Sequence, residues 1–124
     1  MIIEEMTMTE FEEGLEKTKT VIIPIGTIEE HGPHLPLSTD TIHVYDMVKE
    51  ASKKVDVFVA PPIFFGLCRS TSQHPGTMNI SGDTFRSLIK DIVRTLYVQK
   101  MRNFLIISGH AGGTHMSSLV EAGE

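Results

Sequence analysis

The sequence has one cysteine, no tryptophan, two tyrosines and no apolar run long enough to cross a bilayer. The lone thiol, Cys68, cannot close an internal disulfide, so burial and hydrogen bonding must hold the fold, as in a reducing compartment. The most apolar stretch, Val57 to Leu67, is too short for a membrane span and is broken by Pro61 and Pro62. Basic side chains are also scarce: 11 Lys and Arg stand against 16 Asp and Glu, a net charge of -5. Polynucleotide binding depends on cations that neutralise phosphates, so this balance argues against a nucleic-acid partner. Met1 to Met6 lack the basic region and long apolar core of a secretory signal, which makes cytoplasmic residence the expectation.

What is present is ordinary globular material. A chain of 124 residues with 40% hydrophobic and 22% charged side chains can bury one core and does not carry the composition of a disordered segment. Three short runs rich in β-branched or aromatic residues, Val21 to Ile25, Val57 to Ala60 and Phe104 to Ser108, read as buried strands. Between them, Phe85, Leu88, Ile89, Ile92, Val93 and Leu96 repeat at helical spacing and predict a helix over about Asp83 to Lys100. Thr9 with Glu12 resembles a capping box opening a first helix, Thr39 or Asp40 is placed to cap another running to about Lys54, and Thr114 to Glu124 reads as the opening of a last one. Strands alternating with helices predict an α/β domain with a largely parallel sheet, because parallel neighbours need a long crossover.

The chemistry concentrates in two places. From Pro24 to Asp40, where a predicted strand ends, three carboxylates and two imidazoles fall within seventeen residues punctuated by Gly26, Gly32, Pro33 and Pro36. A stiff loop of this kind suits a preformed site. Extended backbone puts Glu29 and His31 on one side and turns Glu30 away as a solvated neighbour; Asp40, at the next helix, can return a third ligand. His110 follows the last predicted strand, and ligands in open α/β sheets gather at the carboxyl edge. Mixed nitrogen and oxygen donors suit Zn, Mn or Fe better than Ca or Mg. A bland reading of Asp40 is a plain helix cap. His34 is expected to orient a ligand carboxylate or to pack in the loop, whereas His43 and His115 read as ordinary helix residues and Cys68 as a poor candidate nucleophile. Gly109 to Gly113 offers a rival reading as a phosphate- or nucleotide-binding turn, although it lacks the lysine and spacing of a P-loop.

The string from Gly26 to Asp40, GTIEEHGPHLPLSTD, closely resembles the metal-binding signature of the creatininase (creatinine amidohydrolase) family. Pro62 to Leu67, then His74-Pro75-Gly76-Thr77, resemble its substrate-side segment, and Ser108 to Gly113 resembles its later Asn-Gly-His-Gly-Gly-Asn motif, with Ser108 where the family usually has Asn. The resemblance implies a three-layer α/β/α domain over residues 1–124, apparently truncated because only about the first half of the family domain is spanned. It further implies a cytoplasmic homo-oligomer, often a hexamer, that hydrolyses a C–N bond of a small, commonly cyclic amide through metal-activated water. Two divalent ions are implied: Glu29 and His31 on different ions, Asp40 bridging, His110 on the first. His74, Gly76, Thr77 and Gly109 take substrate-side positions. In creatininase a Glu two residues after the last His binds the second ion; here that position is Gly112. A truncated or non-catalytic metal-binding protein is the other outcome to be weighed.

Overall fold

The computed structural model describes residues 1–124. Three strands, β1 (Thr20–Ile25), β2 (Phe58–Val59) and β3 (Asn103–Ser108), form one parallel sheet in the order β2-β1-β3. Four helices complete the α/β arrangement: α1 (Met8–Gly14), α2 (Thr39–Ser52), α3 (Gly82–Val98) and α4 (Gly113–Gly123). None of them is long and apolar enough to cross a membrane. The β1 to β2 crossover is α2 and the β2 to β3 crossover is α3, as parallel pairing requires.

The three layers follow from the two-residue period of β1. Val21, Ile23 and Ile25 point to one face, where they meet Phe58, Phe85 and Ile89, while Ile22 points to the other, against Val44 and Val48 of α2 and Val59. Both faces of the central strand are thus covered, which is why it reads as a continuous apolar run rather than an alternating one. Deleting a fully buried chain here, such as Ile23 or Phe58, falls in the class that costs about 2–5 kcal/mol.

Local signals were displaced in detail. The capping box lies two residues earlier than Thr9 and Glu12: the Thr7 hydroxyl accepts from the Glu10 amide and the Glu10 carboxylate accepts from the Thr7 amide. Neither Thr39 nor Asp40 caps α2. Ser38 is the N-cap residue without a side-chain cap bond, the Thr39 hydroxyl donates to the Pro36 carbonyl, and the Asp40 carboxylate is drawn away from the helix. β2 is only two residues long, because Pro61 and Pro62 end the ladder that Val57 to Ala60 promised.

Candidate metal centre

All three strands end at the same edge of the sheet, and each releases a segment that contributes to one cluster. Ile25 pairs with Ser108, so the loop after β1 and the turn after β3 leave side by side. Two glycines allow the close approach. A Cβ on Gly109 would lie 2.3 Å from the Asp40 carbonyl oxygen, and one on Gly26 would lie 2.4 Å from the Cα of Thr41, so the turn after β3 and the loop after β1 rest against the first turn of α2.

Glu29, His31, Asp40 and His110 converge. Asp40 offers one oxygen to each imidazole: Oδ1 lies 2.9 Å from His31 Nε2, and Oδ2 lies 3.2 Å from His110 Nδ1. Glu29 Oε1 is 2.9 Å from the same His110 nitrogen. Donor atoms of Glu29, His31 and Asp40 lie within 4.8 Å of one another. Their side chains are between 9% and 20% exposed, which makes the electrostatics consequential.

The ring orientations decide what this geometry is for. His31 Nδ1 faces the Glu29 carbonyl at 3.0 Å, and His110 Nε2 faces the Leu67 carbonyl at 3.0 Å. Carbonyls only accept, so these nitrogens carry the hydrogens and the opposite nitrogen of each neutral ring turns a lone pair toward carboxylate oxygens. Lone pair against anion is repulsive unless a cation stands between them or the rings are protonated. No Lys or Arg pairs with Glu29 or Asp40. The donor set therefore fits divalent metal: two imidazoles with hydrogens anchored to backbone and two carboxylates of net charge about -2, the arrangement usual for metal-ligating histidine. The Glu29 carbonyl, with help from the Asp40 carboxylate, pushes the His31 imidazole above its ordinary value.

The carboxylates are held from behind by hydroxyls. Thr27 donates to Asp40 Oδ2 at 2.7 Å, and Thr71 donates to Glu29 Oε2 at 2.7 Å. Of the two roles expected of His34, the structure shows packing in the loop rather than support of a carboxylate: Gly32 turns the backbone at φ 74°, and the exposed His34 ring lies against that turn and hydrogen-bonds to neither carboxylate. Glu30 lies off the cluster and accepts from the Gly32 amide. His74 is exposed, Gly76 turns at φ 83° against Leu37, and the Thr77 hydroxyl accepts from the Glu30 amide, tying this segment to the metal-side loop. His43 is exposed on α2.

His115 is more than an ordinary helix residue. It is fully buried beside His110, with ring centroids 4.8 Å apart. Its Nδ1 accepts from the Leu67 amide at 3.2 Å, so its hydrogen sits on Nε2, which meets Ser108 Oγ at 3.1 Å. Ser108 in turn donates to the His110 carbonyl and accepts from the His110 amide. Burial, then the neighbouring His110, pushes the His115 imidazole down to about 4. A neutral His115 thus grips the peptide of Leu67, whose carbonyl aims His110. Helical spacing carried no hint of this, because the partner lies across the sheet edge. Cys68 was also missed: it is buried beside Glu29 and His110, and burial, followed by the Glu29 charge, pushes its thiol up to about 11. As for the phosphate reading, the Gly109 amide donates to the Ile25 carbonyl and the His110 amide to Ser108, while Gly112 opens α4 without a side-chain cap bond.

The family model for creatinine amidohydrolase matches residues 4–124. The chain belongs to the creatininase family. Among curated relatives of this creatininase-family chain, the 3-dehydro-scyllo-inosose hydrolase of Thermotoga maritima is 30% identical over 108 residues, covering 85% of this chain and 34% of its own. A mycofactocin precursor peptide peptidase of Mycolicibacterium smegmatis is 35% identical over 98 residues, 74% of this chain and 39% of its own. The creatinine amidohydrolase of Pseudomonas putida is 24% identical over 116 residues, 89% of this chain and 45% of its own. A solved structure named Creatininase Mn superposes with a TM-score of 0.90 at 23% identity, covering 98% of this chain and 49% of that one, and a mutant creatininase of Zn-Zn type gives 0.89. These structures share the fold. The family chain described here spans less than half the length of the curated relatives it matches.

Proposed function

We propose that residues 1–124 form an α/β unit carrying the metal-binding half of a hydrolase, acting on a C–N bond of a small amide. The observation that carries the reading is the pair of histidines whose N–H groups are fixed to backbone carbonyls while their free nitrogens face Glu29 and Asp40. Glu29, His31, Asp40 and His110 would hold the divalent metal, Glu29 with His110 on one side and His31 on the other, and Asp40, whose oxygens face both imidazoles, would serve both. Zinc and manganese are the metals named with neighbouring structures, and both accept nitrogen and carboxylate donors.

Divalent metal supplies Lewis acidity toward a carbonyl oxygen and acidifies water to a pKa of about 7. The protein's own contribution is positional. Thr27 and Thr71 fix the carboxylate rotamers, and the Leu67 and Glu29 carbonyls fix the ring tautomers. A site whose donors are held before the substrate arrives spends no reorganisation energy during the reaction. We assign His74, Gly76, Thr77 and Gly109 to the substrate side on the family resemblance; in support, His74 is exposed on the segment that Thr77 ties to the metal loop. The relatives' names span an inosose, a precursor peptide and creatinine, so substrate choice rests on more than this metal cradle.

Elemental analysis of protein purified without chelator tests the reading. About two equivalents of Zn, Mn or Fe, together with metal-dependent release of amine from a panel of cyclic and linear amides, is the expected result. Protein that retains no metal and binds none on titration overturns it.

A further inference from the structure

The cradle contains a donor that the four-residue set does not use. The sulfur of Cys68, an oxygen of Glu29 and a ring nitrogen of His110 lie within 4.8 Å of one another. Cys68 is 2% exposed, and its sulfur, 3.9 Å from the Gly66 carbonyl, also faces the Thr27 hydroxyl and the Glu29 carboxylate. Its position is not accidental to the site. The Cys68 amide is held by Asn79 Oδ1 at 2.7 Å, and the preceding residue, Leu67, supplies the carbonyl that aims His110. One short stretch of backbone therefore sets both the sulfur and the imidazole.

The two halves of the centre differ in chemistry as a result. Glu29, His31 and Asp40 form an all-oxygen-and-nitrogen triplet, whereas Glu29, Cys68 and His110 form a triplet with one sulfur. Imidazole, carboxylate and thiolate together form a donor mixture characteristic of zinc, and thiolate favours softer cations over manganese. We propose that Cys68 is a further protein ligand of the ion held by Glu29 and His110, making that position sulfur-containing and selective for zinc-like cations, while the position at His31 has no sulfur. The inference rests on the metal-centre reading above. On coordination the sulfur places a lone pair on the cation and its proton leaves to solvent; no electron is transferred. A pocket lined by Cys68, Arg69, Ser70, His110 and Thr114 adjoins the sulfur-containing triplet.

Cobalt(II) is a suitable probe, because thiolate ligation adds a near-ultraviolet sulfur-to-metal charge-transfer band to the visible d–d bands. The chain has one cysteine, so a thiolate band identifies Cys68. The unsubstituted chain loaded with cobalt is expected to show both sets of bands, and Cys68→Ser to keep the d–d bands and lose the charge-transfer band. The same variant should lose zinc affinity by at least about tenfold, the lower bound for removing even an outer partner, with manganese affinity changed far less. Native protein with d–d bands and no charge-transfer band overturns the Cys68 assignment and leaves the metal centre standing. Failure of the native protein to bind cobalt or zinc at all overturns both. If Cys68→Ser does not fold, the native spectrum alone still decides.

Discussion

Asp40→Asn isolates the bridging role, because one substitution touches both imidazoles. Its two oxygens sit 2.9 Å from His31 and 3.2 Å from His110, and an amide keeps the shape while removing the charge and one lone-pair oxygen. Zinc at about one hundred times its dissociation constant stabilises a folded protein by about 2.7 kcal/mol. For 124 residues, an unfolding entropy of about 2.1 cal/mol/K per residue makes that a rise in Tm of about 10 °C. Losing a shared ligand costs affinity by about 100-fold, the upper end seen for outer-sphere losses. At the same zinc concentration the gain then falls to about 0.4 kcal/mol, a rise under about 2 °C. In chelator the variant should melt close to the native protein, since it removes one of two neighbouring carboxylates that repel each other without metal. The assay is thermal melting with and without zinc, paired with metal stoichiometry. An undiminished zinc-dependent shift with full stoichiometry in Asp40→Asn would refute bridging.

Two further outcomes test the surroundings. His115 titrates near 4 in the fold against an ordinary 6.5, so the unfolded chain binds the extra proton first as pH falls. Stability is complete above about 6.5 and is lost toward pH 4, by about 3 kcal/mol in all, measurable as urea unfolding in chelator. His115→Gln should flatten that dependence, and an equally steep acid loss in the variant would assign it to other groups. Gly109→Ala places a Cβ 2.3 Å from the Asp40 carbonyl oxygen, a backbone clash that must displace the first turn of α2. It should cost about 1–3 kcal/mol in denaturant unfolding and weaken zinc binding with it; an unchanged zinc isotherm would show that Asp40 is not held through this contact.

Legibility in the sequence followed the range of the interaction. The strand at Val21 to Ile25 was visible as a continuous apolar run, because both of its faces are covered, and the helix around Phe85 to Leu96 because its apolar face repeats at a local spacing. The loop from Gly26 to Asp40 was visible because its donors are close in sequence, and its resemblance to a family motif added what spacing alone left open. End positions were less legible: the capping box at Thr7 and Glu10 competed with an equally plausible pair two residues on, and only the realised bonds choose between them.

Residue types and their order, together with the family motif they resemble, nominated Glu29, His31, Asp40 and His110 as candidate donors and predicted a parallel sheet that would bring them to one edge. Tertiary structure alone decided which nitrogen of each ring is free, that Thr27 and Thr71 rather than His34 brace the carboxylates, and that Cys68 and His115 belong to the same neighbourhood. The reason is physical: tautomer and rotamer depend on hydrogen-bond partners from distant segments. Leu67 reaches across 43 positions to His110, and such a pairing exists only after the strands have aligned.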